Sequence, residues 1–149
     1  MKKIILLIIT LIFLNYTYSF AADGVLQRGN SNPANLVIYH PKSWSNGGVW
    51  DLSDIDLEET SITKIKITFT SFTSLVSQEY NGLNLFIQDE TGKIEKLKFK
   101  DKQTAITKDF KGQTPAQKWK LKYFVRELKH EGSYFALTPR LTIYYEDKH

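Results

Sequence analysis

The chain has 149 residues, 20 Lys and Arg against 16 Asp and Glu, a formal net charge of +4 and no cysteine. One domain fits this length; disulfides and a cysteine nucleophile are excluded, and so is a lipid-modified cysteine. The weak net charge argues against a global nucleic-acid binder.

Met1-Lys2-Lys3 is a short cationic start, and Ile4 to Leu14 is apolar apart from Thr10. A run of eleven residues is too short to span a bilayer, which needs about 20. Ser19 and Ala21 are small residues where a signal peptidase reads them, so residues 1–21 read as a signal peptide cleaved after Ala21. Residues 22–149 then form a single domain, 18 basic against 16 acidic side chains, held by packing alone.

Asn35 to His40, "NLVIYH", is β-rich and stops at Pro41. Next comes "HPKSWSNGGVWDLSDIDLEE", with Trp44 and Trp50 around Asn46-Gly47-Gly48 and carboxylates at Asp51, Asp54, Asp56, Glu58 and Glu59. A tryptophan offers a flat apolar face and one N–H donor, suited to stacking on a sugar or burying into a partner. Gly47 and Gly48 are read as letting the loop bend sharply. Val49-Trp50-Asp51-Leu52 continues as a strand, which makes Trp50 a core plug between sheets, while Trp44 is open to either role. Clustered carboxylates can hold calcium, but the EF-hand offsets are missing. A solvated acidic loop is the plainer reading, with Ser53 or Asp54 capping a helical turn.

Period-two alternation then recurs. Ile62 to Phe72 puts Ile65, Ile67 and Phe69 on one face and Lys64, Lys66, Thr68 and Thr70 on the other. Gly82 to Gln88 groups Leu83, Leu85 and Ile87. Asp89 to Gly92 is a turn, and Lys93 to Lys100 returns with Leu97 and Phe99 inward, which makes a hairpin. Asp101 to Gln117 is polar and reads as a long loop or a short helix. Lys118 to Leu128 sets Trp119, Leu121, Tyr123 and Val125 against Lys118, Lys120 and Lys122. Lys129 to Gly132 is a turn. In the last segment Pro139 marks the strand start, with Leu141, Ile143 and Tyr145 on one face. The fold class is all-β: an antiparallel β-sandwich, Ig-like or a small barrel, of about 7–8 strands.

Catalytic signals are weak. His40, His130 and His149 have no metal-ligand spacing, and no serine lies in a G-x-S-x-G elbow. No enzyme activity, metal or cofactor is expected. The lysines are the stronger feature. Lys118, Lys120 and Lys122 recur about 7 Å apart along one strand, and Lys96, Lys98, Lys100 and Lys64, Lys66 repeat the pattern. If those strands share a sheet, its wet face is a cationic plate for acidic protein, anionic polysaccharide or phosphate head groups. Ordinary protection of sheet edges is the alternative.

The order Gly82-Leu83-x-Leu85-x-Ile87, Trp119-x-Leu121-x-Tyr123-x-Val125 and Ala136-Leu137-x-Pro139-x-Leu141-x-Ile143-x-Tyr145 resembles the FlhE family of exported flagellar-operon proteins. The resemblance spans roughly residues 62–145. It implies a periplasmic β-sandwich that serves as a flagellar accessory or chaperone-like factor without catalysis. The chain departs from that family in lacking cysteines in its middle strands, and no functional residue is carried over.

The expectation is an exported, periplasmic or secreted, non-enzymatic binding protein that contacts another exported or envelope protein. Contact would run through a strand edge or the lysine face. The candidate binding residues are Trp44, Trp50, Lys118, Lys120 and Lys122. Alternatives are a polysaccharide- or envelope-binding module using Trp44 and Trp50, and a secreted toxin or virulence factor. Nucleic acid and stable membrane insertion are not expected.

Overall fold

The computed structural model describes residues 23–57, 59–73, 80–128 and 134–148. The leader, Glu58, the turn at 129–132 and two of the histidines, His130 and His149, lie outside the described residues. The strands, in chain order, are β1 (Gly24–Asn30), β2 (Leu36–Ile38), β3 (Ser43–Trp44), β4 (Gly48–Asp51) and β5 (Thr60–Thr73). Then come β6 (Tyr80–Asn81), β7 (Asn84–Gln88), β8 (Ile94–Lys96), β9 (Lys98–Phe99) and β10 (Thr104–Thr107). The last are β11 (Lys118–Val125), β12 (Glu127–Leu128) and β13 (Phe135–Asp147). The described residues contain no helix. The strand segments outnumber the expected 7–8 because several are only two or three residues long.

Two antiparallel sheets pack face to face as a sandwich, without closing into a barrel. The first has the order β1-β13-β5-β10-β9, with β2 also pairing β13. The second has the order β3-β11-β7-β8, with β4 also pairing β11. Strands β12 and β6 pair separately.

Alternation fills the space between the sheets. Ile65, Ile67, Phe69, Leu141 and Ile143 come from the first sheet, and Leu85, Ile87, Trp119, Leu121 and Val125 from the second; all are buried. Each such side chain contributes about 1.5–3 kcal/mol on leaving water. Trp119 meets Phe110 edge-on at 5.1 Å, and its indole N–H donates to the Pro115 carbonyl. Tyr123 ties the layers together. Its ring meets Phe135 edge-on at 5.7 Å, and its hydroxyl lies 2.9 Å from the Leu36 carbonyl oxygen and 2.6 Å from that of Phe135. Burial pushes this phenol well above the ordinary tyrosine range.

The hairpin of β7 and β8 closes through Asp89 to Gly92, with Gly92 at φ 94°. Asp89 is 3% exposed. It accepts hydrogen bonds from Thr91 Oγ1, Lys93 N and Gln113 Nε2. Burial opposes its charge, yet these donors hold the carboxyl below the usual range.

Several expectations are corrected. Residues 101–117 hold a strand, β10, which pairs β5 from Thr104 to Thr107. Alternation over four residues in a polar stretch is too short a signal to stand out. No helix follows Leu52 among the described residues: a single turn closes there, with Ile55 N donating to the Leu52 carbonyl, and Asp51, not Ser53 or Asp54, braces it, its Oδ1 accepting from Ser53 N and Oγ. Phe99 is 41% exposed and touches the core only edge-on through Phe69, because the chain leaves the second sheet at Leu97 and enters the first at Lys98.

Pro139 does not begin a strand; it sits buried inside β13, opposite Phe69. Phe69 sends its N–H to Gln103 on the β10 side, so this pair exchanges no ladder bonds. On its other side β13 pairs β2 up to Leu137 and β1 from Arg140. Pro139 falls in the gap between them, where a missing N–H leaves nothing unpaired.

Candidate functional site

The outer face of the second sheet carries four of the five candidate residues, Trp44, Lys118, Lys120 and Lys122. Cross-strand pairing places Trp44 beside Phe124, Lys122 between Phe86 and the Trp44 end of the sheet, and Phe86 beside Lys96. The next row runs Val49, Lys120, Gln88 and Ile94. Trp44, Phe86, Gln88, Ile94, Lys120 and Lys122 line a shallow groove of about 210 Å³.

Trp44 is 54% exposed, and Ile94 is 57% exposed. The indole is propped, not loose. It meets Phe86 edge-on at 5.1 Å and Phe124 at 5.8 Å. Its backbone is pinned on both sides: Lys42 N donates to the Val125 carbonyl, and Ser45 N to the Tyr123 carbonyl. The buried Ser45 hydroxyl accepts in turn from Tyr123 N. Asn46 fastens the loop to β2, accepting from Val37 N and donating to the Asn35 carbonyl.

The two glycines work by space and not by bending, since neither has a positive φ. A Cβ on Gly47 would lie 2.6 Å from Lys120 Cε, so the lysine stem rests on bare backbone there. A Cβ on Gly48 would lie 2.4 Å from Ser31 Oγ and 2.7 Å from Leu36 Cδ2, inside the core.

Trp50 belongs to the interior. It is 4% exposed, pairs with Trp119 across β4 and β11, and donates its indole N–H to the Gly29 carbonyl at 2.9 Å. Its ring has no face left for a ligand. Of the two tryptophans in the loop, Trp44 alone is on the groove.

The lysines divide as well. Lys118 is ion-paired with Asp51 at 3.2 Å, an exposed contact of little energetic weight. Hydrogen bonds from Ser53, with Lys118 adding less, hold the Asp51 carboxyl below the usual range. Lys120 and Lys122 point into the groove. The proposed single plate does not form: Lys96 lies on the second sheet, whereas Lys98, Lys64 and Lys66 lie on the first. There Lys64 sits 3.9 Å above the Tyr144 ring and Lys66 5.8 Å from it. A two-residue period cannot reveal that a chain changes sheets at Leu97.

Phe86 and Ile94 of the groove, and Phe124 beside it, are not singled out from the sequence. Each occupies a polar-phase position in its strand, and an apolar residue out of phase was the available signal. Among the described residues, no three His, Asp or Glu side chains gather where a metal ion would be held. No helix there is long and apolar enough to cross a membrane.

No protein-family model matches the chain, and no curated protein matches it. The fold has relatives among solved structures. The crystal structure of FlhE is similar at a TM-score of 0.55 and 12% identity, over 85% of this chain and 98% of that one. The complex of the Aeromonas sobria serine protease with the chaperone is similar at a TM-score of 0.55 and 9% identity, over 95% of this chain. The A. sobria serine protease itself is similar at 0.52 and 9%, over 91% of this chain. Both of these matches span 29% of the other chain, so there the similarity is to one portion of a longer protein. At these identities the likeness is one of fold.

Proposed function

We propose that this is an exported, non-catalytic binding protein, an accessory or chaperone-like factor that holds another protein on the outer face of its second sheet. The observation that carries this is Trp44: a large ring left half in water, yet braced by Phe86 and Phe124 and by a backbone bonded on both sides. An exposed aromatic set in a fixed geometry loses little entropy when a partner covers it, which is how binding anchors work. The similarity in fold to FlhE, whose family reads as periplasmic accessory factors, supports an accessory role outside the cytoplasm.

The test is capture of partners from the native cells with the wild-type protein, Trp44→Ala and Lys64→Gln, the last on the opposite sheet. A protein retained by the wild type and Lys64→Gln but lost with Trp44→Ala supports the reading. Equal retention by all three rejects this face.

A further inference from the structure

The groove beside Trp44 has a chemistry that narrows what it holds. Its walls and floor are apolar: Trp44, Phe86 and Ile94. Its polar atoms belong to Lys120, Lys122 and Gln88. An ammonium donates hydrogen bonds and accepts none, so Gln88 supplies the acceptor side-chain oxygen of this lining. A neutral sugar needs donors and acceptors around its ring, because each hydroxyl does both. A uronic acid could satisfy the lysines, but Trp44, Phe86 and Ile94 offer its hydroxyls almost no hydrogen-bond partners.

Spacing adds a second constraint. Lys120 and Lys122 are alternate residues of β11 and stand about 6.6 Å apart along it. Trp44 stands beside the end of this line, on β3, since it pairs with Phe124, the next outward residue of β11. An extended peptide repeats its same-side side chains at this interval. The acid of β4 at the other end of the face, Asp51, is engaged by Lys118 and Ser53 and leaves Lys120 and Lys122 to an incoming charge.

We propose that the groove takes an extended acidic segment of a partner protein, with carboxylates at alternate positions over Lys120 and Lys122 and an apolar side chain against Trp44 and Phe86. This rests on the binding role given to the face above and names its occupant. The lysines supply on-rate and register; the aromatic pair supplies the anchor.

The test uses a short blocked peptide with two aspartates and a leucine at alternate positions. The readout is protection of Trp44 from acrylamide quenching, which is selective because Trp50 and Trp119 are buried. Protection is expected. It should weaken roughly tenfold in Lys120→Gln/Lys122→Gln and fall with added salt. Peptides with asparagine for aspartate, or glycine for leucine, should protect far less. Equal protection by the asparagine peptide overturns the charge assignment. Protection by oligogalacturonate and not by the acidic peptide makes this a saccharide site and overturns the proposal. Protection by neither probe, with partner capture still dependent on Trp44, leaves the face standing and rejects the acidic peptide. If capture is also indifferent to Trp44→Ala, both readings fail.

Discussion

The indole of Trp44 and the ring of Phe86 meet edge to face at 5.1 Å on the outer side of a sheet, where an alternating strand would place polar residues. They come from β3 and β7, which do not pair with each other but flank β11. The contact therefore reports the order of the sheet, and it fixes the one tryptophan of the three that solvent reaches.

Trp44→Ala should remove most acrylamide-quenchable tryptophan fluorescence while costing about 1 kcal/mol of stability, the worth of an exposed aromatic pair. Chemical denaturation beside a quenching titration checks both. A loss of several kcal/mol would mean that the ring holds the fold together and does not serve as a surface anchor.

Tyr123→Phe deletes a buried hydroxyl shared by the Leu36 and Phe135 carbonyls. It should destabilise by about 1–3 kcal/mol, since those acceptors stay buried. The phenol ionises less readily in the folded chain than in the unfolded one. Its contribution is therefore full below pH 10.0, the unfolded value, and is lost as pH rises beyond it. Melts at neutral and alkaline pH should show the wild type losing more stability than Tyr123→Phe.

Asp89→Asn should cost on the order of 2 kcal/mol at neutral pH, because three donors face a charged acceptor in a buried turn. The folded carboxyl ionises at lower pH than the unfolded one. Its stabilisation is complete above 3.8, the ordinary aspartate value, and fades as pH falls through the lower folded value. Acid unfolding should be shallower in Asp89→Asn. Identical acid profiles would remove Asp89 from the account.

Gly48→Ala should destabilise by about 1–3 kcal/mol, the usual range for forcing a methyl into a filled core. Ser31 and Leu36 occupy that space. Gly47→Ala meets the flexible stems of Lys120 and Lys122, so its melt should stay close to wild type while binding at the groove changes. Equal melts for the two variants would contradict the packing at Gly48.

The alternating segments were legible because side chains on a strand point to opposite sides in turn, and one side must leave water. That rule alone placed Ile65, Ile67, Leu85, Ile87, Trp119, Leu121, Tyr123 and Val125 in the interior, and it assigned Trp50 to the core. It placed Lys120 and Lys122 outward but was blind to which outward residues become neighbours. Sheet order is set by pairings between distant segments, and the two-residue period is the same whichever sheet a strand joins.

The sequence by itself determined an antiparallel all-β fold, sandwich or small barrel, with oily interior phases and lysine-rich outer ones; the sheet pairing decided for the sandwich. Tertiary structure decided that Lys96 and Lys98 part to different sheets, and that Pro139 falls at a break between two partners. It also decided that Trp44, Phe86, Ile94, Lys120 and Lys122 share one groove. Such meetings are made by long-range hydrogen-bond registers, which no local pattern of hydrophobicity encodes.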